Sequence, residues 1–328
     1  MTDGREPPLT VVVVHRAQPE RCTATVRALT DRAAQGLAAR AVVVDNGSPP
    51  ADLAALRAAL PGVELVELGR NAGFGPGANA GLRRWLARPA AEAGEWVAVA
   101  PHDAIPAPGC LVRLVAAAAA RPRAGLASAD VGDGATPVVD RYFGGITRPA
   151  AVADGWEPAD HPHGTLLLAR RACLEEVGLF DERYFAYGEE ADLGVRARAA
   201  GWEVGVVRGA DVRNPHLGST VAVTDYLQVR NTLLLVREHG GRWPVTVRAV
   251  MALWSAAVGA VAPARRPPVF DARARLLALR DYALGRFGPP PASLTGAAAT
   301  ARRPAPPRPR PAAPSAGTTA PSPPRPRP

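Results

Sequence analysis

Two continuous apolar runs, Leu9 to Val14 and Ala41 to Val44, and two further strand-like segments, Val63 to Leu68 and Glu95 to Ala100, are separated by stretches of helical character. Within the runs hydrophobicity is continuous, not alternating, so both faces of each strand must be buried. Parallel strands covered by helices on both sides meet that demand, and the alternation of strand with helix selects an α/β fold. The chain has 328 residues, 47% of them hydrophobic, enough for one large domain and an appendage. Open α/β sheets bind ligands beyond the carboxyl ends of their strands, so the residues after each run are where chemistry is expected.

Asp45-Asn46-Gly47-Ser48 follows the second run, although the same string also makes a generic turn. A carboxylate at that strand end can accept the imide N–H of uracil or thymine. The third segment leads into Gly69 to Gly81, a glycine-rich turn opening a helix, with no GxxxxGK[ST] and no dinucleotide fingerprint. Pro101-His102-Asp103 follows the fourth. Further on, Gly178 to Gly201 reads GLFDERYFAYGEEADLGVRARAAG. Phe180, Tyr184, Phe185 and Tyr187 read as an apolar shelf, and Glu189, Glu190 and Asp192 begin a helix, where acids complement the dipole. Acidic helix starts with glycine stops are common, so residue physics alone leaves cap and site as equal readings.

FDERYFAYGEEADLGVRARAAGW resembles the "GxFDexFFxYgEDvDLxxRxxxxG" signature of family 2 glycosyltransferases, especially the rhamnosyltransferase-like members. Asn71 to Gly81 is similar to that family's "N-x-G-F-x-x-G-x-N-x-G", Pro101 to Gly109 to its "NPDa.p.pg", and His163 to Arg171 to its "Gaf.lirR". Asp211 to Ser219 resembles "vxHxxxxS", and DYLQVRNTLLLVRE, Asp225 to Glu238, resembles a helix that covers the site in relatives. The motifs stand in the family's order from about Leu9 to Glu238.

The resemblance implies a GT-A fold, mostly parallel, with flanking helices. It implies inverting transfer from a nucleotide-diphospho-sugar to a hydroxyl of a cell-envelope glycan or lipid-linked acceptor, with a deoxythymidine-diphospho-rhamnose donor favoured. Glu190 takes the place of the catalytic base, where the family usually has Asp. Asp103 matches the acid that holds Mg²⁺ or Mn²⁺, the first acid of that motif being Pro101 here, and His216 matches a histidine that completes the metal site. Asp45, Asn71, Gly73, Asn79 and Asp103 fall on the donor side; Gly164, Tyr187, Glu189 and Asp192 fall on the acceptor side. A glycine at 164 would let the chain pass close to a sugar. A retaining hydrolase needs carboxylates flanking the bond, and Glu190 and Asp192, two apart on a helix, do not face each other. The departures at Pro101 and Glu190 keep a non-catalytic scaffold open. A nucleotidyltransferase is the other alternative, though His15-Arg16-Ala17 is short for its basic loop.

The net charge of +9 arises from 39 arginines and no lysine against 30 acids, and six of those arginines lie beyond Ala301 with no acid among them. The body is nearly balanced and lacks aromatic and basic interleaving, so no nucleic-acid partner is expected. Cys22, Cys110 and Cys173 form no CxxC, and neither a disulfide framework nor a zinc site is suggested. MTDGREPPLTVVVVH reads as a strand, not a signal peptide, and a cytoplasmic location follows. Arg121 to Pro162 reads as an irregular acceptor-side insertion. Ala249 to Ala262 is apolar but, at fourteen residues, short of the roughly twenty that span a bilayer. Residues 1–240 therefore read as the catalytic domain, 241–288 as a C-terminal helical extension and 289–328 as a disordered Pro, Ala and Arg tail. The extension and tail would allow peripheral contact with anionic membrane on the inner face.

Overall fold

The computed structural model describes residues 7–214 and 219–295. Its strands are β1 (Leu9–His15), β2 (Ala39–Asp45), β3 (Glu64–Glu67), β4 (Trp96–Pro101), β5 (Ile105–Pro106), β6 (Ala124–Asp130), β7 (Ala135–Asp140), β8 (Gly144–Pro149), β9 (Gly155–Pro158), β10 (Leu167–Arg170) and β11 (Glu203–Arg213). The main sheet runs β3-β2-β1-β4-β10-β6-β11-β5, with β9 also on β11; β7 and β8 form a separate hairpin. Pairing is parallel from β3 through β4 and between β6 and β11, while β10 runs antiparallel between β4 and β6.

The strand period explains the continuous apolar runs. Val11, Val13, Val43, Ala98 and Ala100 face one core, which the Pro19–Thr30 and Cys110–Ala119 helices cover. Val12, Val14, Val44, Val97 and Val99 face the other, covered by the Phe74–Leu86 and Glu189–Ala199 helices. A third apolar cluster joins the Val221–Gly240, Arg242–Val261 and Ala272–Ala283 helices into a layer of their own.

Three sequence expectations change. The insertion between Arg121 and Pro162 is regular: it supplies β6, inside the main sheet, the β7–β8 hairpin and β9. Its small residues hid this, because Ala-Gly-Leu-Ala-Ser-Ala-Asp carries little β propensity and is a strand by burial. The hairpin is tied down by a buried network in which Arg208 donates to Glu157 (2.9 Å), Asp130 (3.0 Å) and Thr136 (2.8 Å). Burial pushes the Glu157 carboxyl up, but hydrogen bonds from Thr136, the Ala151 N–H and Arg208 outweigh it and hold the group at about 2. The second change is the apolar helix near the C-terminus, which spans 20 residues, Arg242–Val261, and is long and apolar enough by length and composition to cross a membrane. The third is the tail: Pro289 to Thr295 are ordered, and Leu294 is buried in the helical layer. Residues 296–328 lie outside the described residues.

Candidate active site

The carboxyl ends of β1, β2 and β4 meet at one edge of the sheet, where register places His15 beside Asp45 and Val14 beside Pro101. Nδ1 of the buried His15 stands 3.2 Å from Oδ1 of Asp45. Nε2 of the same ring accepts from the Gln18 N–H (3.2 Å), so the proton sits on Nδ1 and points at the carboxylate. Burial lowers the pKa of His15 more than Asp45 raises it, so the ring is a neutral donor. Ser48 adds its hydroxyl to Oδ1 and its N–H to Oδ2 (3.1 Å). Asp45 is 2% exposed and keeps one lone pair, on Oδ2.

Asn46, which the sequence reading passed over, fixes the next loop. Its Oδ1 accepts from the Ala72 N–H (2.8 Å) and its Nδ2 donates to the Gly73 carbonyl (2.9 Å). Asn71 is exposed and accepts from the Gly73 N–H (3.1 Å). Two residues expected on the donor side are engaged by the protein's own chain. A Cβ on Gly73 would stand 2.3 Å from the carbonyl oxygen of Phe185, so the openness of the glycine admits that segment. Asn79 is buried with all its amide groups occupied: Nδ2 donates to the Phe180 carbonyl (2.9 Å) and Glu182 (3.1 Å), and Oδ1 accepts from the Phe180 N–H (3.1 Å). It pins the acidic segment to the Phe74–Leu86 helix, and both of its amide hydrogens are committed there.

Asp103, in the turn after β4, is 8% exposed, and no hydrogen bond or ion pair reaches its carboxylate among the described residues. Beside it, Nε2 of His102 is buried without a hydrogen-bond partner. Burial lowers the pKa of His102 against the pull of Asp103. β11 pairs Arg213 with Ile105, so the chain leaving β11 starts beside the Asp103 turn. His216 itself lies outside the described residues. No group of three or more His, Cys, Asp or Glu side chains is arranged to hold a metal ion among the described residues.

The three acids at the start of the Glu189–Ala199 helix have separate fates. Glu189 is 2% exposed, packs against Gly75 and Phe180, and leaves Oε2 without a partner. Burial first, and then the neighbouring Glu190, push its pKa well above the ordinary range, so it is a neutral acid. Asp192 is bridged by Arg196 (2.8 Å) and by Nε2 of His239 (2.8 Å); burial opposes ionisation, but the hydrogen bonds from these two side chains and the Arg196 charge prevail and lower its pKa. Both, expected on the acceptor side, are thus engaged or enclosed by the protein itself. Glu190 is half-buried, in no ion pair among the described residues, and steadied at Oε2 by the Gly188 N–H (3.2 Å). Its Oε1 lies over Gly164, where a Cβ would stand only 2.2 Å away. Gly164 therefore makes room for the Glu190 carboxylate. His161, absent from the sequence reading, stands near enough for Glu190 to raise its pKa, although burial lowers it more, and its Nε2 is buried without a partner.

The aromatic shelf is also corrected. Phe180, Tyr184 and Phe185 are buried in the cores, and Tyr187 alone of the four is half-exposed. Phe185 (φ 66°, ψ −60°) is the centre of a positive-φ γ-turn closed by the Ala186 N–H on the Tyr184 carbonyl (2.8 Å). Tyr187 also has positive φ, 67°. Strain of about 1–3 kcal/mol at each such residue needs external support. Asn231 provides it, its Nδ2 reaching the carbonyls of Tyr184 (2.8 Å), Ala186 (2.8 Å) and Tyr187 (2.7 Å), and Arg230 adds a bond to Tyr184 (3.3 Å). The Tyr187 hydroxyl lies 3.4 Å from that of Thr224.

The geometry matches known proteins. The family model described as glycosyltransferase like family 2 matches residues 7–232. An N-acetylglucosaminyl-diphospho-decaprenol L-rhamnosyltransferase of Mycobacterium tuberculosis is 31% identical over 264 residues, 70% of this chain and 83% of the relative. The mannosyltransferase PcManGT of Pyrobaculum calidifontis, in complex with GDP-Man and Mn²⁺, superposes with a TM-score of 0.52 at 16% identity, covering 86% of this chain and 88% of that one. GalNAc-T7 with UDP, GalNAc and Mn²⁺ superposes at 0.58 and 16% identity, covering 86% of this chain and 55% of that one. At those identities the two structures speak to the fold, which is GT-A. With the sheet, the acidic helix start and more than two thirds of its length matched, the chain belongs to the family 2 glycosyltransferases and is a glycosyltransferase.

Proposed function

We propose that the protein transfers rhamnose, with inversion, from a deoxythymidine-diphosphate donor to a hydroxyl of a lipid-linked cell-envelope acceptor, with Glu190 as the base. The observation that carries the reading is the sorting of the three acids: Glu189 is neutral, Asp192 is ion-paired, and Glu190 alone is half-exposed and unpaired among the described residues. Glu190 takes the proton from the acceptor hydroxyl as that oxygen attacks the anomeric carbon, and the diphosphate leaves from the opposite face. The remaining lone pair of Asp45 accepts an imide N–H of the base, with His15 and Ser48 orienting the carboxylate. Asn71, exposed beside that loop, contributes on the donor side.

Asp103 fits a divalent cation: it is a hard oxygen ligand at a strand end with no protein partner among the described residues, and Mg²⁺ or Mn²⁺ is bound readily by one carboxylate plus a diphosphate. His216 is proposed as a further ligand. When bound, the cation neutralises charge on the leaving diphosphate. The rhamnose donor and lipid acceptor are supported by the mycobacterial relative, whose name carries both. With such an acceptor the enzyme would work at the cytoplasmic face of the plasma membrane.

The test is transfer of labelled rhamnose by Glu190→Gln. Turnover should fall about 10²-fold or more with donor affinity unchanged, because Gln keeps the shape and cannot accept a proton. Near-normal turnover removes the assignment, and absence of donor turnover in the parent protein returns the scaffold reading.

A further inference from the structure

We propose that the outer face of the Arg242–Val261 helix is a membrane-docking surface that lies in the interface of an anionic bilayer. It deepens the membrane location proposed above by assigning it to particular side chains, and its test needs neither donor nor acceptor. At about 100° per residue, the buried Pro244, Val245, Ala252, Ala256 and Gly259 lie on one side of the helix. Trp243, Val250, Trp254, Ala257 and Val261 fall within about 60° of arc on the opposite side. Trp243 is 68% exposed, Val250 63%, Trp254 71% and Val261 84%, and Leu253 beside them 52%. A helix of a water-soluble domain carries polar residues on that side. Here the apolar stripe is about 27 Å long and has a tryptophan at its start and another past its middle. Tryptophan favours the bilayer interface, where its ring sits at headgroup level.

The inner side fixes how the helix meets lipid. Val245 and Ala252 pack in one cluster with Val229, Leu233, Ala274 and Ala278, and a Cβ on Gly259 would stand 2.3 Å from the Phe270 ring. A helix bound along one side to its own domain lies on a bilayer and does not cross it. Charge selects the bilayer over a second copy of the chain. Residues 239–270 hold four arginines and no acid; Arg248 turns to the inner side of the helix, while Arg242, Arg265 and Arg266 are exposed at its two ends. A two-fold contact through the stripe would bring the three exposed arginines of each copy together; an anionic leaflet complements them.

The same helix adjoins the acceptor side of the site. The Arg248 guanidinium lies 5.8 Å from the ring centre of Phe143, at the tip of the β7–β8 hairpin, where Phe143 is 44% exposed. The next residues of that hairpin approach the base: a Cβ on Gly145 would stand 3.6 Å from Nε2 of His161 and 3.9 Å from Ala191. The hairpin thus links the docked helix, at Phe143, to Ala191 beside Glu190.

The experiment is co-sedimentation of the full-length protein with phosphatidylcholine vesicles, with and without phosphatidylglycerol, for the parent and for Trp243→Ser/Trp254→Ser. The parent should partition onto the anionic vesicles, its tryptophan emission quenched by brominated acyl chains. The double variant should bind at least about 10-fold more weakly, since two large apolar side chains are lost from the contact. Both side chains are exposed, so its thermal midpoint should match the parent's and exclude misfolding. Unchanged partition of the double variant, absence of quenching, or equal partition onto neutral vesicles overturns the proposal. So does a dimer, seen by sedimentation velocity without lipid, that the double variant dissolves, because the stripe then belongs to a second copy. Glu190→Gln should bind vesicles as the parent does, so failure of the catalytic reading leaves this result standing.

Discussion

Gly164→Ala separates the position of the base from the integrity of the fold. Gly164 is not in the left-handed region, so alanine suits its backbone. The added Cβ would lie 2.2 Å from Oε1 of Glu190 and 3.1 Å from its Cδ. Real Cβ contacts begin at about 3.0 Å, so the carboxylate must retreat by close to an ångström. The obstructing atom is the far end of a half-exposed side chain, which can rotate away without moving the core. Misplacing a reacting group by about 1 Å costs on the order of 10² in rate. Stability should stay level or rise by about 0.4–1 kcal/mol, as for other compatible glycine-to-alanine changes. Transfer of labelled sugar, read beside the thermal midpoint and donor affinity, should therefore show turnover falling about 100-fold with the other two unchanged. The loss should vanish in a Glu190→Gln background, where there is no base left to displace. Adding Glu190→Asp to Gly164→Ala should partly restore turnover, because the shorter side chain clears the clash. Gly164→Ala with turnover within about threefold of the parent would refute the placement of the base.

Three further outcomes follow from the same site. Glu189 has a folded pKa raised above its ordinary value of 4.5, so protonation favours the fold, and its stabilising effect is full below 4.5 and lost as pH rises toward the raised value. The parent should lose about 1.4 kcal/mol per pH unit across that window; Glu189→Gln removes the slope, and denaturation midpoints at pH 4.5 and 8 that keep a constant gap would refute it. Asp103→Asn should weaken donor binding with Mn²⁺ far more than binding without metal, and a calorimetric titration showing equal metal dependence in variant and parent removes the assignment. Asn79→Ala should cost about 1–3 kcal/mol for each Phe180 backbone group left unpaired while donor affinity in the surviving folded protein stays level; a selective loss of donor affinity would return Asn79 to the donor site.

Legibility in the sequence tracked how local the deciding interactions were. The runs at Leu9 and Ala41 announced buried parallel strands because burial on both faces writes continuous hydrophobicity into adjacent residues. The fold and family were legible for that reason and through the acidic motif. β6 was not, since Ala124 to Asp130 is a strand only by virtue of β10 and β11 on either side. The motif placed Glu189, Glu190 and Asp192 together but could not rank them. Their ranking depends on partners distant in the chain: Gly75 over Glu189, Gly164 under Glu190 and His239 against Asp192. The packing of Asn79 and Gly73 was hidden for the same reason, because their partners Phe180 and Phe185 lie more than a hundred residues away. Asn46 had only its place in the Asp-Asn-Gly-Ser string to signal it, and His161 had no signal at all.

These long-range partners also explain why the base sits after a strained turn. A helix start preceded by Gly188 at φ 97° could swing freely, and the positive φ of Phe185 and Tyr187 would relax in an isolated peptide. Asn231 and Arg230 prevent that by gathering the carbonyls of Tyr184, Ala186 and Tyr187 onto one face of the Val221–Gly240 helix. The Phe185 carbonyl, turned outward by the same geometry, meets the Gly75 N–H (3.3 Å) at the start of the Phe74–Leu86 helix, on the donor side. One turn therefore joins the loop that follows β3, the helix that carries Glu190 and the layer that presents Trp243 and Trp254. The strain is the consequence of satisfying all three at once, and it holds Glu190, the proposed base, at a fixed height above the loop that follows β3.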